Sequence, residues 1–454
     1  MTFESINPAT GKRLASYPQT DPQAVQAALE EAARVQVAWR RTPMSERAKR
    51  LQAVGARLRQ DQERLARLMA EEMGKPIAQG RSEVEKCAWV CDYYAESAER
   101  FLAPEPVATD AATSFVCFEP LGVVLAIMPW NFPLWQVFRA AAPALMAGNA
   151  LLLKHASNVP GCALAIEALL QQAGLPAGLF RALLVGAARV KELIANPLVQ
   201  AATITGSTPA GQAVASAAGH ALKKTVLELG GSDPYLILED ADLETSAETC
   251  AASRLINSGQ SCIAAKRFLV VAPVRERFEA LFVEAIRRRR MGDPLDESVA
   301  VGPLARRDLR DSLHAQVTRS VEAGARCVLG GRVPEGPGAF YPPTVLTQVT
   351  QGMPVYAEET FGPVAAVIAV RDEAEAVRVA NDSPFGLGAA VFTRDRARGE
   401  RLAHELEAGF CVVNAFVRSD PRLPFGGIKQ SGYGRELSSF GIREFVNIKT
   451  ISVQ

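Results

Sequence analysis

The sequence predicts an α/β protein: a doubly wound parallel sheet followed by a second α/β domain. Apolar strands alternate with helices from Leu121 to Leu229, and the alternation resumes after Asp233. Such alternation makes successive strands parallel, covers both faces of the sheet with helices and puts ligands at the carboxyl ends of the strands. The length of 454 residues also exceeds what one core usually organises.

Three helices are predicted ahead of the first sheet. Asp21-Pro22 indicates a helix start, because Asp caps helix N-termini and Pro suits the first turn. A second helix begins near Ser45 with apolar residues at helical spacing and ends at Gly74. A third is expected from about Glu83 to Phe101. These helices lead into the first sheet.

The chain divides into two large units and a small β flap. The first unit is expected over residues 1–103 and 121–230, and the second over residues 231–444. Residues 104–120 hold the alternating run Ser114 to Phe118, and residues 445–454 form another extended segment. An exposed strand needs a partner to cover its edge, so we expect residues 104–120 and 445–454 to serve assembly into a homodimer or homotetramer.

The composition is that of a globular enzyme. With 22% charged residues and a formal net charge of +1, the chain offers no electrostatic case for binding nucleic acid or an anionic membrane. No apolar run reaches spanning length, and the N-terminus has no secretion signal. Eight cysteines without a CxxC pair and four dispersed histidines favour reduced cytoplasmic thiols over disulfides or a metal site.

The run from Asn257 to Cys262 ends in a thiol after small, polar residues. Most cysteines are inert core residues. Here Gly259 allows close approach of the backbone to a ligand, while Ser258 and Gln260 are poor core formers that would keep the thiol beside a polar cleft. We therefore interpret Cys262 as a nucleophile.

A carboxylate stands at the end of the last strand of the first unit. Glu228 lies among leucines and is followed by Gly230-Gly231. Burial among leucines would raise the pKa of Glu228 toward that of a general base, although a strand-end Glu paired with an arginine is an alternative. The unit boundary at Gly230-Gly231 puts Glu228 and Cys262 on opposite sides of a cleft, a usual place for a site.

A third segment, Thr205-Gly206-Ser207, follows a strand and opens a helix. Its backbone N–H groups can bind a pyrophosphate, but a plain strand-to-helix turn has the same sequence character.

Six motifs occur in order along nearly the whole chain: Pro129 to Pro133, Thr205 to Ser207, Leu227 to Gly231, Gly259 to Cys262, Glu358 to Pro363 and Pro424 to Gly427. Together they resemble the aldehyde dehydrogenase superfamily. The runs Lys154 to Asn158 and Ser419 to Pro424 are most similar to short NADP-preferring succinate-semialdehyde dehydrogenases. The resemblance implies oxidation of a short ω-oxo carboxylate, succinate semialdehyde, to the carboxylic acid. It makes residues 1–103 and 121–230 the dinucleotide-binding domain and residues 231–444 the catalytic domain.

The resemblance also assigns catalytic roles. It makes Cys262 the nucleophile, Glu228 the general base and Asn131 the oxyanion donor, and it matches Glu436 to a position that assists proton transfer. A thiolate would attack the aldehyde to give a thiohemiacetal, and loss of hydride would leave a thioester for water to hydrolyse.

The cofactor implied by the resemblance is NADP, with NAD possible. The residues that would contact it are Trp130, Lys154, His155, Ala156, Ser157, Gly206, Ser207, Leu229, Glu359 and Phe361. Ser157 decides the preference, because NAD-specific relatives tend to carry a Glu there that would repel a 2′-phosphate, whereas Ser beside Lys154 admits it.

The substrate residues are predicted from chemistry as well as resemblance. Arg139 corresponds to an arginine of succinate-semialdehyde enzymes, and Arg418 and Arg422 flank Ser419; a guanidinium can clamp a distal carboxylate, with Trp135 against the methylene chain. Surface or interdomain ion pairs are the alternative for each arginine. Ile256 stands where some family members carry an arginine, which leaves the chain length of the substrate open.

Two other functions remain open from the sequence. One is a broad-specificity aliphatic or aromatic aldehyde dehydrogenase, and the other is a Cys-dependent hydrolase or acyl transferase that works without nicotinamide.

Overall fold

A computed structural model describes residues 2–454 of the chain. The elements that precede the first sheet are β1 (Thr2–Ile6), β2 (Arg13–Pro18), α1 (Pro22–Trp39), α2 (Met44–Gln60), α3 (Gln62–Met73), α4 (Ile77–Phe101), β3 (Glu105–Pro106) and β4 (Thr113–Pro120). The elements of the first sheet region are β5 (Val123–Met128), α5 (Trp135–Met146), β6 (Ala150–His155), α6 (Pro160–Gln172), β7 (Phe180–Ala182), α7 (Val190–Ala195), β8 (Val199–Thr205), α8 (Thr208–His220) and β9 (Lys224–Glu228).

The second half of the chain begins with β10 (Pro234–Ile237), α9 (Leu243–Leu255), β11 (Arg267–Val271), α10 (Arg275–Arg287), α11 (Arg307–Glu322), β12 (Arg326–Leu329), β13 (Thr344–Thr347), α12 (Pro354–Ala357) and β14 (Val364–Val370). It ends with α13 (Glu373–Asn381), β15 (Phe385–Gly386), β16 (Gly388–Phe392), α14 (Arg396–Glu405), β17 (Phe410–Val413), β18 (Ile428–Lys429), β19 (Gly432–Tyr433), α15 (Ser438–Arg443) and β20 (Val446–Val453).

Two parallel sheets form the body of the protein, as the alternation of strands and helices predicted. The first has the order β19-β9-β8-β5-β6-β7 and is parallel except for β19. The second has the order β12-β13-β14-β11-β10-β16-β17 and is parallel except for β12. Strand order doubles back around β5 and around β10, so the predicted doubly wound α/β fold class is confirmed.

The flap segments pair with each other. Strand β20 runs antiparallel to β4 over its whole length, from Val446 opposite Pro120 to Val453 opposite Thr113, and β3 pairs with the other side of β4. Residues 104–120 and 445–454 thus form one three-stranded sheet. Its role in assembly stays a prediction.

The helical lead-in differs from the prediction at three points. The third predicted helix, α4, begins at Ile77 rather than near Glu83. Residues 2–18 form the antiparallel hairpin β1–β2, which the sequence analysis did not predict. The single helix predicted from Ser45 is two helices, because Asp61 leaves the helical conformation, with φ −92° and ψ 6°, between α2 and α3.

The end of the expected second unit packs on the first. Strand β19 joins the first sheet beside β9, and Leu437, Ile442 and Phe445 belong to the apolar core of the first sheet. The division at Gly230-Gly231 stays a prediction, but residues 425–446 bridge the two sheets and bring polar groups from the C-terminal region behind Glu228.

None of the helices within residues 2–454 combines the length and the hydropathy that crossing a membrane requires.

Candidate active site

A cavity of about 500 Å³ opens beside Cys262. Its walls come from α4, α5 and α9 and from the loops around Cys262 and Ser419. Trp135, Arg139, Arg418 and Ser419 all line it. The structure therefore brings the predicted nucleophile and four of the five predicted substrate residues to one space.

The loop that carries Cys262 is held in an unusual backbone conformation. Asn257 and Ser258 have φ values of 52° and 57°, and Gly259 has φ 76°. A Cβ on Gly259 would lie 2.3 Å from the carbonyl carbon of Gly362, so only glycine fits. Left-handed backbone costs free energy and persists only where surrounding contacts impose it.

Buried cations impose that conformation through backbone carbonyls. Arg254 donates to the Gly259 carbonyl at 2.7 Å, and Lys266 Nζ donates to the carbonyls of Ser261 at 3.0 Å and Cys262 at 2.6 Å. Burial lowers the pKa of Arg254 to about 9 and also lowers the pKa of Lys266. Because both cations sit where charge is costly, their bonds fix the loop firmly.

The Cys262 thiol is partly exposed to the cavity. Its apolar surroundings raise its pKa to about 12, although the positive charges of Lys266 and Arg139 act in the opposite direction. The thiol in this state is therefore protonated at neutral pH, and a proton acceptor is needed to form the thiolate.

Asn131 is buried against the same loop. Its Nδ2 donates to the Gln260 carbonyl at 3.1 Å, and its own carbonyl accepts from Lys75 Nζ at 2.9 Å and Asn257 Nδ2 at 2.6 Å. The second proton on Nδ2 and the Cys262 backbone N–H have no acceptor within residues 2–454. These two donors are available to an oxygen beside the thiol.

Lys75 in turn is neutralised by Glu83, with Nζ 2.6 Å from Oε2. The other Glu83 oxygen accepts the backbone N–H groups of Leu134 and Trp135 at 2.9 Å and so caps the start of α5. The segment that carries Asn131 is therefore fixed at both ends by one buried ion pair.

Glu228 lies behind the cavity rather than in its wall. Among residues 2–454 its carboxylate is not part of the cavity lining, and neither oxygen has a hydrogen-bond partner. Burial raises its pKa well above the ordinary value, and the charge of Glu436 raises it further, against the opposing effect of Arg139. The raised pKa favours the protonated form of Glu228 relative to an exposed Glu.

Arg139 forms a buried ion pair with Glu436 and a hydrogen bond of 3.3 Å to Thr205 Oγ1. Burial raises the pKa of Glu436, and Arg139 opposes that rise. Glu228, Glu436 and Arg139 thus form a buried group with two carboxyls and one guanidinium. Arg139 lines the cavity as predicted for a substrate residue, but its charge is already compensated.

The predicted cofactor residues lie at the carboxyl ends of β6, β8 and β9. Lys154 is the last residue but one of β6, and Ser157 follows that strand on the surface; Gly206 and Ser207 join β8 to α8; Leu229 follows β9. Burial lowers the pKa of Lys154, and no carboxylate pairs with it in the described residues. Ser207 caps α8 without a side-chain hydrogen bond, so the first N–H groups of that helix are free for an anion.

A second cluster of predicted cofactor residues lies beside the Cys262 loop. The rings of Trp130 and Phe361 meet edge to face, with centroids 5.7 Å apart. Glu359 Oε1 accepts from the Gly231 N–H at 3.0 Å and lies 3.4 Å from Lys266 Nζ. Lys266 therefore links Glu359 to the nucleophile loop.

The ring of His155 packs inside the protein and is not exposed to a ligand. It is buried, its Nδ1 accepts from the Ala156 N–H at 2.9 Å, and its Nε2 donates to the Pro133 carbonyl at 2.9 Å. Burial lowers the pKa of His155 to about 4, so the ring is neutral. The ring therefore fixes the segment from Pro129 to Pro133.

Arg422 is the predicted substrate residue that the structure does not bring to the cavity. Its guanidinium is exposed, pairs with Asp420 at 2.7 Å and lies over the Trp89 ring. This arrangement is the surface ion pair considered as its alternative.

The sequence analysis did not identify three further cations near the thiol. Lys86 and Arg289 line the cavity, and Lys266 holds the nucleophile loop. Lys86 could have been found from helical spacing, because it lies on the face of α4 that also carries Glu83 and Val90. Arg289 lies two residues after the end of α10 and pairs with Glu248 at 3.1 Å.

Residues 2–454 contain no group of three or more metal-binding side chains. The site chemistry described above therefore consists of one thiol, buried carboxyls, an amide and several cations.

Comparison with known proteins gives a consistent result. The model of the aldehyde dehydrogenase family matches residues 1–451. A protein of Synechocystis sp. named "Probable succinate-semialdehyde dehydrogenase [NADP(+)]" is 49% identical, with 99% of each chain covered. A succinate semialdehyde dehydrogenase [NAD(P)+] of Escherichia coli is 47% identical, with 98% of this chain and 97% of the relative covered.

Solved structures agree in fold. The crystal structure of a succinic semialdehyde dehydrogenase from Streptococcus pyogenes, in complex with NADP+ as the cofactor, superposes with a TM-score of 0.97 at 37% identity, covering 99% of both chains. The family model matches almost the whole chain, and the relatives have the identities given above. The chain therefore belongs to the aldehyde dehydrogenase family.

Proposed function

We propose that this enzyme oxidises a short ω-oxo carboxylate, with succinate semialdehyde as the first candidate, to the dicarboxylic acid with NADP+. One observation carries the choice of substrate. Of the five charged side chains that line the cavity beside Cys262, four are cations and only Glu83 is an anion. A positive, otherwise apolar cavity favours an aldehyde that carries a carboxylate over a neutral one. The names of the relatives point to the same substrate.

The nucleophile of the proposed reaction is the Cys262 thiolate. Its sulfur attacks the aldehyde carbon, and the carbonyl oxygen becomes the oxyanion of a thiohemiacetal. Asn131 Nδ2 and the Cys262 N–H are the donors left for that oxygen, and such contacts lower the barrier by about 3 to 4 kcal/mol. When NADP+ is bound, its nicotinamide supplies the acceptor for the hydride that leaves this carbon.

The resulting thioester needs an activated water. Glu228 is the proposed base: its carboxylate, once deprotonated and turned from Glu436 toward the thioester, takes a proton from water, which attacks the acyl carbon and displaces the Cys262 sulfur. Arg139 compensates the charge of Glu436 and so limits the repulsion on an ionised Glu228. Burial raises the pKa of Glu228, which makes its ionised carboxylate a stronger base than that of an exposed Glu.

The residues at the strand ends fit a phosphorylated dinucleotide. We assign Lys154 and Ser157 to the 2′-phosphate, because a cation and a hydroxyl stand there without a carboxylate that would repel it. Gly206 and Ser207 fit the pyrophosphate at the open N-terminus of α8, Leu229 and Trp130 the nicotinamide, and Glu359 with Phe361 its ribose.

A charge reversal tests the cofactor assignment. Ser157→Glu should lower kcat/KM for NADP+ and change the NADP+/NAD+ ratio by at least about tenfold, because the new carboxylate repels the 2′-phosphate and accepts from a ribose 2′-hydroxyl. The matched control Ser157→Ala should leave the ratio near that of the unaltered enzyme. An unchanged ratio in the Glu variant contradicts the assignment.

Two further proposals concern the state of the enzyme. We propose that the β3–β4–β20 sheet joins subunits into a homodimer or homotetramer, because β20 is an open edge strand and exposes Ile448 and Val453. Light scattering that gives a monomer mass would overturn this. We also propose a cytoplasmic location, since all eight cysteines are free.

A substrate and cofactor panel tests the function as a whole. Succinate semialdehyde and butyraldehyde, each with NADP+ and NAD+, are followed at the absorbance band of the reduced nicotinamide. The proposal expects the highest kcat/KM for succinate semialdehyde with NADP+. Equal values for the two aldehydes would indicate a broad-specificity enzyme, and ester turnover without any nicotinamide reduction would indicate a hydrolase.

A further inference from the structure

Lys86 is a cation in the cavity wall without an anionic partner. It lies on α4, and its Nζ is 4.4 Å from the centroid of the Trp135 ring and donates to Ser419 Oγ at 2.8 Å. No carboxylate forms an ion pair with it anywhere in the part of the chain that the structure describes. An ammonium has three donors, so two N–H groups of Lys86 remain without a hydrogen-bond acceptor within residues 2–454.

The other cations near the thiol are mostly compensated. Arg139 pairs with Glu436, Lys75 with Glu83, and Arg289 with Glu248. Within residues 2–454, Arg418 shares with Lys86 the lack of an ion pair, and it lies 5.9 Å from the Phe416 ring. The surplus positive charge of the cavity is therefore concentrated in Lys86 and Arg418.

Holding an uncompensated ammonium in this place is costly. Burial and, to a smaller extent, the charge of Arg139 on α5 lower the pKa of Lys86 to about 8. Opposing effects come from Cys87 and Glu83 on α4 and from Asp420 in the loop after β17. The Glu83 and Asp420 carboxylates are already occupied by Lys75 and Arg422, so neither compensates Lys86 directly. An anion that enters the cavity would remove this cost.

Ser419 is arranged to share such an anion. Its Oγ accepts the hydrogen bond from Lys86, so its own proton points elsewhere and can be donated. A carboxylate has two oxygens that accept such bonds, and bonds between an ammonium and a carboxylate are among the stronger ones in proteins.

We propose that Lys86 determines specificity by binding, together with Ser419, the distal carboxylate of the ω-oxo acid whose aldehyde group reacts at Cys262. This inference rests on the proposed function, because it names the group that recognises the acid end of that substrate. Arg139, whose charge Glu436 already compensates, then serves the buried carboxyls rather than the substrate.

A pair of variants and a pair of substrates test this role. Lys86→Met removes the charge at similar length, and Lys86→Arg keeps it. We expect Lys86→Met to reduce kcat/KM for succinate semialdehyde by about 10- to 100-fold, mainly through KM, because a charge-assisted bond is lost. For butyraldehyde, which has the same carbon chain without the carboxylate, the change should stay below about threefold. Lys86→Arg should recover part of the loss, and the exposed control Lys191→Met should change neither value.

The pH profile provides a readout that a structural role would not move. KM for succinate semialdehyde should rise above about pH 8, where the ammonium loses its proton, while KM for butyraldehyde stays level. In Lys86→Arg that rise should disappear, because a guanidinium stays charged.

The outcomes separate this inference from the proposed function. If the unaltered enzyme does not prefer succinate semialdehyde to butyraldehyde, the proposed function fails and this inference fails with it. If it does prefer the acid and Lys86→Met keeps that preference, or loses activity equally on both substrates, the proposed function stands and the role of Lys86 is overturned.

Discussion

Two groups of polar residues lie in or behind the wall of one cavity, and they differ in how their charges are satisfied. The proposed catalytic group consists of Cys262, Asn131 and Glu228, and the nearby cations Lys75 and Arg139 are paired with buried carboxylates. The proposed recognition group consists of Lys86, Arg418 and Ser419, and its cations lack such partners within residues 2–454.

The difference indicates a division of labour. A paired buried charge fixes geometry, and geometry is what an oxyanion donor and a nucleophile need. An unpaired buried charge favours ligand binding, because a ligand of opposite charge compensates it. Changes in the catalytic group should therefore reduce turnover of every aldehyde, whereas changes in the recognition group should act only on acidic ones.

The strongest test of the catalytic group is Cys262→Ala. We expect activity on succinate semialdehyde and butyraldehyde alike to fall by about 10⁴-fold or more, because no other nucleophile is present for thiohemiacetal formation. Steady-state nicotinamide reduction measures it. The exposed Cys327→Ala should keep full activity. Residual turnover of either aldehyde above one per cent in the Cys262 variant would refute the mechanism.

A measurement of the free energy of unfolding tests whether Arg139 serves mainly as the ion-pair partner of Glu436. Arg139→Met leaves Glu436 buried without its cation and beside Glu228, so we expect the free energy of unfolding to fall by about 3 to 5 kcal/mol. Denaturant titration measures the change. Adding Glu436→Gln in the same chain should recover part of the loss, and Arg287→Met at an exposed ion pair should cost less than about 1 kcal/mol. A loss of succinate semialdehyde binding with unchanged stability would instead make Arg139 a recognition residue.

Asn131→Ala tests the oxyanion donors. Removing one such donor should lower kcat by about 10² to 10³ for both the acidic and the neutral aldehyde, with smaller changes in KM. Thermal unfolding checks that the Cys262 loop, which Asn131 also contacts through Gln260, keeps its stability. An effect confined to the acidic aldehyde would break the proposed division.

The smallest expected effect concerns pH. Burial and the charge of Glu436 raise the pKa of Glu228, so its ionised fraction at a given pH is smaller than that of an exposed Glu and increases as the pH rises through the raised pKa. Thioester hydrolysis should therefore speed up with rising pH, as measured by turnover after the first equivalent of reduced nicotinamide. Glu228→Gln should keep that first equivalent and lose both the later turnover and its pH dependence. A pH-independent hydrolysis rate in the unaltered enzyme would count against Glu228 as the base.

Much of the site could be predicted from the sequence, because the features that mark it depend on residues close together in the chain. The glycine in the Cys262 loop, the strand-end position of Glu228 and the turn at Gly206 each depend on neighbours within a few residues, so the sequence showed them directly. The motifs also indicated the family, which the match over residues 1–451 confirms.

Other features needed the folded chain. Arg139 and Arg422 looked alike as clamps, yet one is buried against Glu436 and the other pairs with Asp420 on the surface. His155 looked like a cofactor contact, and its ring proved to be a buried brace for Pro133. The sequence analysis did not single out Lys86, although it is a cation in the cavity wall without an ion pair.

The sequence by itself predicted the fold class, the alternation of strands and helices along the chain and the family, because periodicity and short motifs are properties of contiguous residues. The tertiary structure decided which charges are compensated and which are open to a ligand. The physical reason is that the state of a charge depends on atoms within a few ångströms, and for Arg139, Lys75 and Lys86 those atoms come from other turns, helices and loops that only folding brings near.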